Sequence, residues 1–205
     1  MSLSEPLVQA IHTIHQRLSH LSAPWLIGGS CGLILQNLAI QSTPRDLDIY
    51  VDRVFIEKFH HALSEFATDP PVISTTERYE SILAHYQIAG ITLEIVGGFH
   101  IHVTGATYQT RVAELLYSFS SIIDLAGTKI HVMPLAHELL FNLFRQRPDR
   151  YELIADAIRA QIDMHISCLN TLLASNRIDH RWILQIANLL HIKESELSPS
   201  GGAAL

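Results

Sequence analysis

Two aspartates that alternate with apolar residues are the clearest chemical signal in this sequence. Asp46 and Asp48 are interleaved with Leu47 and Ile49, and a strand turns every second side chain to the same face of its sheet. Two adjacent carboxylates repel each other unless a cation lies between them. Mg²⁺ suits such a pair, because it commonly takes one or two carboxylates together with substrate phosphates. This aspartate pair therefore predicts a Mg²⁺ site on one face of a strand.

A short polar turn lies one predicted helix before the aspartate pair. Gly28, Gly29 and Ser30 follow the apolar residues 25–27 and precede another apolar run. This order predicts a strand, a turn and a helix, with Ser30 as the helix N-cap. Glycines let the backbone approach a ligand closely, and a helix N-terminus attracts anions. The glycine turn (Gly28, Gly29 and Ser30) is therefore predicted to bind phosphate, and together with the aspartate pair it indicates a site for a metal-bound nucleotide.

Hydrophobic spacing predicts the elements that must position these residues. Helices are predicted at 6–20, 30–38, 54–66, 135–145 and 179–191, with one helical stripe running through 151–172. Strands are predicted at 25–27, 46–51, 81–89, 91–96, 122–125 and 129–132, and 101–104 is expected to extend the sheet. The predicted strands all lie before Pro134, and only helices are predicted after it. We therefore expect an α/β domain over 1–133, a helical region over 134–197 and a mobile tail over 198–205.

The order of these motifs resembles the signature of the polymerase-beta-type nucleotidyltransferase superfamily. That signature is an apolar residue, a glycine and a glycine or serine, then a spacer and two acids alternating with apolar residues. Here Ile27 and the glycine turn are followed, after the fifteen residues 31–45, by Asp46-Leu47-Asp48-Ile49. The preceding Thr43-Pro44-Arg45 is similar to the lead segment of the small bacterial members. The resemblance covers residues 22–96 well and the helical region only in outline.

The resemblance implies an α+β fold, with a mixed β-sheet backed by helices and a C-terminal helical region. It implies transfer of a nucleoside monophosphate from an NTP, with ATP expected, to a hydroxyl group with release of pyrophosphate. The glycine turn would hold the β,γ-phosphates, Arg45 would contact the nucleotide, and the aspartate pair would bind two Mg²⁺ ions. Similar bacterial proteins include antibiotic-modifying enzymes and toxins, so the acceptor stays open between a small molecule, a protein and an RNA end. A homodimer and a partner protein also stay open.

A third carboxylate is expected on a neighbouring strand, as a metal ligand or general base. Glu94 is the first choice, because it alternates with Leu93 and Ile95 and would be costly to bury without a cation. Asp124 has the same apolar surroundings and is the alternative, although it also fits the end of a strand beside a turn.

One position departs from the superfamily pattern. Many members carry a lysine near the triphosphate on the first helix after the sheet, and Asn142 stands at that place here. Arg145, one turn further on, is the expected substitute. If Arg145 does not take the place of that lysine, the chain is instead a catalytically degenerate binding or regulatory protein with the same fold.

Composition narrows the class of protein further. Of the 205 residues, 48% are hydrophobic and 17% charged, which excludes intrinsic disorder. The net charge of -6 argues against a protein that binds nucleic acid non-specifically. The two cysteines favour a reduced, cytoplasmic setting, and we expect no secretory signal, membrane span or membrane partner. The thirteen histidines show no zinc-binding spacing and are expected to be solvated or hydrogen-bonded.

Overall fold

The computed structural model describes residues 3–41 and 43–197, so the tail predicted at 198–205 lies outside the described residues. The helices are α1 (Glu5–Leu18), α2 (Gly29–Leu35), α3 (Ile56–Ala62), α4 (Leu135–Phe144), α5 (Pro148–Ala160), α6 (Ile162–Ala174) and α7 (His180–Leu190). The strands are β1 (Leu26–Ile27), β2 (Asp46–Val51), β3 (Val72–Thr75), β4 (Tyr79–Ile88), β5 (Ile91–Val103), β6 (Ala106–Gln109), β7 (Ser121–Leu125), β8 (Thr128–Val132) and β9 (Arg177–Ile178).

The chain divides into two compact units. One contains Met1–Phe99 and Thr110–Met133, and the other contains His100–Gln109 and Pro134–Leu205. The division after Met133 falls at the change of character in the sequence. The second unit also takes a short segment from the middle of the chain, because the end of β5 pairs with β6, and β6 pairs with β9.

The first unit is built on a mixed sheet, as the family resemblance implied. Its strands lie in the order β3-β4-β5-β2-β1-β8-β7. β2 is parallel to β5 and antiparallel to β1, and β1 is parallel to β8. The expected α+β class with a mixed sheet backed by helices is confirmed.

Alternation along β2 and β5 separates an apolar face from a polar one. Leu47, Ile49 and Leu93 are fully buried in a core that also contains Leu7 and Ile11 of α1. Each such side chain contributes about 1.5–3 kcal/mol when it leaves water. The residues between them point to the other face, and these include the aspartate pair and Glu94.

The second unit contains α4–α7, and all residues of α4 are buried. The prediction of one helical stripe through 151–172 is wrong. Gln161, with φ -145° and ψ 48°, interrupts it and separates α5 from α6. The apolar period continues across this break, so periodicity alone could not reveal it. The short strands β3, β6 and β9 were not predicted, because four residues or fewer give little pattern of their own.

Among residues 3–41 and 43–197, no helix combines the length and the apolar character that crossing a bilayer requires.

Candidate functional site

The carboxylates predicted to do chemistry lie on two adjacent strands. In the parallel pairing of β2 with β5, Asp48 is opposite Glu94 and Asp46 is opposite Thr92. Residues paired in this way point to the same face of a sheet. Asp46 is exposed, Asp48 is half-buried, and the side chain of Glu94 is 33% exposed. The structure thus places Glu94 beside the aspartate pair.

Asp124 lies elsewhere. Its strand β7 is at the edge of the sheet and is separated from β2 by β1 and β8. Its Oδ1 accepts a hydrogen bond from the backbone N–H of Gly127 at 2.8 Å, which closes the β7–β8 turn. Asp124 therefore lies at the end of a strand beside a turn, which is the other interpretation that its sequence pattern allowed.

The glycine turn is joined directly to the aspartate strand. β1 pairs antiparallel with β2, with Ile27 opposite Ile49, and the N–H of Gly28 donates to the carbonyl oxygen of Asp48 at 3.1 Å. The backbone N–H of Gly28 is therefore engaged within the sheet. Backbone hydrogen bonds thus join the glycine turn to the strand that carries the aspartate pair.

The prediction that Ser30 caps the helix is wrong. α2 begins at Gly29, and Gly28 is its N-cap residue. The first helical bond runs from the N–H of Gly32 to the carbonyl oxygen of Gly28 at 3.0 Å, which puts Ser30 inside the first turn. Capping preferences alone favoured serine, but the extended backbone of Gly28 decides where the helix begins.

Gly29 is required for two independent reasons. Its φ of +59° is a conformation that other residues rarely adopt. A Cβ at this position would also overlap Oδ2 of Asp48, well inside van der Waals contact. The carboxylate of Asp48 is thus packed against the backbone of the turn.

A histidine missed in the sequence joins this group. His85 on β4 places Nε2 3.2 Å from Oε2 of Glu94 and Nδ1 2.6 Å from Oδ2 of Asp69. Hydrogen bonding to Asp69, with the charges of Asp69 and Glu94, raises the pKa of His85 despite its partial burial. The pKa of Asp69 is lowered, because hydrogen bonds from the backbone and ring of His85 outweigh the effect of desolvation.

Part of this arrangement had a signal in the sequence. Gly90 was predicted as a hairpin turn, and the observed turn is the two residues between Ile88 and Ile91. Counting back from that turn puts His85 opposite Glu94. Asp69 gave no such signal, because it reaches His85 from a segment outside the hairpin.

The fold of the chain is similar to folds seen in solved structures. A candidate nucleotidyltransferase from Thermotoga maritima matches with a TM-score of 0.62 and 23% identity, over 78% of this chain and 95% of that chain. This chain has the nucleotidyltransferase fold.

Two further structures are more remote. ANT(2'')-Ia, solved with adenylyl-2''-tobramycin, matches at 13% identity over 79% of this chain and 96% of that one, with a TM-score of 0.48. The lincosamide antibiotic adenylyltransferase LnuA, solved with lincomycin, matches at 14% identity over 75% and 98%, with a TM-score of 0.47. Both are too distant to bear on the chemistry of this chain. No family model and no curated protein sequence matches it.

Cys31 lies at the centre of this nucleotidyltransferase fold as a packing residue. Its Sγ is 3.3 Å from the carbonyl oxygen of Asp46, to which the thiol donates. Burial, together with the nearby carboxylates of Asp48 and Asp46, raises the pKa of Cys31 to about 12. The thiol therefore stays protonated at neutral pH, in agreement with the packing role expected from the sequence.

The basic residues expected near the nucleotide lie in different places. Arg45 is exposed immediately before β2. Arg145 belongs to the second unit, where its guanidinium carbon is 4.9 Å from the centre of the Phe141 ring. Asn142 is buried, and its amide donates to the backbone carbonyl and to Oε2 of Glu138 at 2.8 and 3.2 Å. Its polar group is therefore engaged within α4.

The acids present fit a hard divalent cation. Asp48 and Glu94 on adjacent strands, with Asp46 on the same face, are oxygen ligands of the kind that Mg²⁺ and Mn²⁺ prefer. Within the described part of the chain, no three His, Cys, Asp or Glu side chains are arranged to hold a metal unaided. Mg²⁺ ordinarily completes its shell with water and substrate phosphates, so it needs only one or two carboxylates from the protein.

Proposed function

We propose that this chain is a Mg²⁺-dependent nucleotidyltransferase that moves a nucleoside monophosphate from an NTP, with ATP expected, to a hydroxyl group of an acceptor. The observation that supports this most is the pairing of Asp48 with Glu94 across β2 and β5, next to the glycine turn that is bonded to Asp48. The nucleotidyltransferase fold agrees with this reaction.

Asp46, Asp48 and Glu94 would hold Mg²⁺, which when bound neutralises phosphate charge and activates the attacking oxygen. The backbone of Gly29 and Ser30 would approach the β,γ-phosphates. α2 has seven residues, so this contact depends on close backbone approach more than on a helix dipole. Arg45 is proposed as a further contact to the triphosphate, and the nucleotide contact expected of Arg145 from the sequence stays a prediction.

Glu94 has a second proposed role as the general base. The acceptor oxygen would form a bond to the α-phosphorus while the bond from that phosphorus to the pyrophosphate oxygen breaks. The proton of the acceptor hydroxyl would pass to the carboxylate of Glu94.

Calorimetric titration of the full chain with ATP, GTP, CTP and UTP, in Mg²⁺ and in EDTA, tests the proposal. We expect Mg²⁺-dependent binding, and we expect Asp46→Asn and Asp48→Asn each to weaken it at least about tenfold, since metal ligands are removed. Asp124→Asn removes the same charge at the far edge of the sheet and is the matched control. Equal affinity in the wild type and both site variants would contradict the site assignment.

The alternative is a binding or regulatory protein with this fold and no transfer activity. The buried amide of Asn142, bonded to Glu138, favours it, because this position carries no cation for the triphosphate. Incubation with α-³²P-labelled ATP and separated small-molecule, RNA and protein fractions discriminates between the two. Label transferred to any fraction, and lost in Glu94→Gln, supports the enzyme; tight Mg²⁺-ATP binding without transfer supports the alternative.

A further inference from the structure

His85 connects two carboxylates at the edge of the candidate site. Its ring nitrogens lie 2.6 Å from Oδ2 of Asp69 and 3.2 Å from Oε2 of Glu94. Both ring nitrogens therefore lie within hydrogen-bond distance of a carboxylate oxygen, so contacts hold the ring at two ends. This contact engages one oxygen of Glu94, and the carboxylate has its second oxygen, Oε1, for a cation.

The backbone fixes the Asp69 end of this connection. Oδ1 of Asp69 accepts the backbone N–H of His85 at 2.7 Å, so one carboxylate binds both the main chain and the ring of the same residue. The N–H of Thr68 donates to the carbonyl oxygen of His85 at 2.9 Å. Pro70 and Pro71 follow, and proline restricts its own backbone and that of the residue before it. The position of the His85 ring is therefore fixed by backbone hydrogen bonds as well as by side-chain contacts.

Glu94 is the site carboxylate that most needs such support. A glutamate has one more rotatable bond than an aspartate, so ordering its side chain costs more conformational entropy. Asp48 is already packed against Gly29, whereas the hydrogen bond that orders Glu94 comes from His85. A side chain that is ordered before the ligand arrives binds more tightly, because less freedom is lost on binding.

We propose that Asp69 and His85 are positioning residues, which hold the carboxylate of Glu94 ready for the divalent cation of a bound nucleotide. The proposal rests on the proposed function, in which Glu94 is the third carboxylate. Both residues act through Glu94. Outer partners of metal ligands typically change metal affinity by about 10- to 100-fold, and we expect an effect of this size.

The test uses Mn²⁺ as the probe, with the full chain and the α,β-methylene analogue of ATP, which cannot be cleaved at the reacting bond. Electron paramagnetic resonance of free Mn²⁺ gives the affinity. We expect His85→Ala and Asp69→Ala to weaken Mn²⁺ binding about 10- to 100-fold. His85→Gln, whose amide can donate to Glu94 from near the position of Nε2, should recover most of the loss. Combining His85→Ala with Glu94→Gln should weaken binding no further than Glu94→Gln alone, because both changes act on one ligand.

Glu80→Gln is the matched control. Glu80 lies on the same strand as His85, and its Oε1 forms an exposed ion pair with Nη1 of Arg53 at 3.0 Å. Breaking this pair should leave Mn²⁺ affinity unchanged. Wild-type affinity in His85→Ala and Asp69→Ala, with a loss in Glu94→Gln, would overturn the positioning role and leave the proposed function standing. Wild-type affinity in Glu94→Gln and Asp48→Asn as well would overturn both.

Discussion

At the scale of single residues, the site depends on how closely Gly29 approaches Asp48. The fold puts a glycine with positive φ directly against a carboxylate on the next strand. Any side chain at this position must displace the carboxylate or the turn. A substitution at Gly29 therefore tests the geometry of the site without removing an acid.

We predict that Gly29→Ala greatly weakens Mg²⁺-dependent nucleotide binding, by at least about tenfold, because it moves a carboxylate that the proposal assigns to the metal. It should also destabilise the protein by roughly 1–2 kcal/mol or more, since a non-glycine residue is strained at positive φ. Calorimetric titration with Mg²⁺-ATP and urea unfolding measure the two effects.

Gly127→Ala is the control for that prediction. Gly127 has a φ of +86° in the β7–β8 turn, and a Cβ there meets nothing within 4 Å. The control variant should show the backbone strain but bind nucleotide like the wild type. Similar losses of binding in both variants would mean that Gly29 acts only through stability.

At the scale of elements, α3 sits close to the sheet because β5 carries a glycine beneath it. A Cβ on Gly97 would overlap the Cγ1 and Cδ1 atoms of Ile56, which is the first residue of α3 and is buried. α3 and β5 therefore pack closely because a small residue on the strand faces a large residue on the helix.

We predict that Gly97→Ala destabilises the protein by about 1–3 kcal/mol, because it overpacks this contact. Ile56→Ala alone should cost about 2–5 kcal/mol through the cavity that it leaves. The double variant should be more stable than the sum of the single effects by at least about 1 kcal/mol, since the new methyl group enters the vacated space. Urea unfolding of the four proteins measures this coupling, and strict additivity would show that the two residues do not limit each other.

At the scale of the whole molecule, a buried histidine makes stability depend on pH. His137 on α4 is 1% exposed, and its Nδ1 lies 2.7 Å from the hydroxyl oxygen of Tyr108, within hydrogen-bond distance. Burial lowers the pKa of His137 from 6.5 to about 3. The folded protein therefore binds fewer protons at this residue than the unfolded chain between those two values.

This difference in proton binding makes the folded protein less stable in acid. As the pH falls below about 6.5, His137 binds a proton in the unfolded chain but not in the folded protein. The free energy of unfolding therefore decreases. We predict a loss of about 2 kcal/mol between pH 7 and pH 5 from this residue. The double variant Tyr108→Phe with His137→Leu removes both partners and should lose correspondingly less stability over the same range. Parallel pH profiles of the wild type and the double variant, followed by thermal or urea unfolding, would contradict the prediction.

The sequence by itself determined the features that depend on neighbours along the chain. Alternation puts Asp46 and Asp48 on one face of a strand, the glycine turn follows a strand, and the pattern around Glu94 marks an acid opposite an apolar face, because these relations arise within a few residues. The mixed-sheet class was implied by the family resemblance that these local motifs carry.

Only the tertiary structure decided which distant residues meet. The strand pairing brings Glu94 beside Asp48 and leaves Asp124 at the far edge. Asp69 reaches His85 across sixteen positions of the chain. The start of α2 at Gly29 depends on backbone geometry rather than on the preference of Ser30 for an N-cap. These outcomes are set by strand order, backbone conformation and packing, which connect residues through space and leave no periodic trace in the sequence.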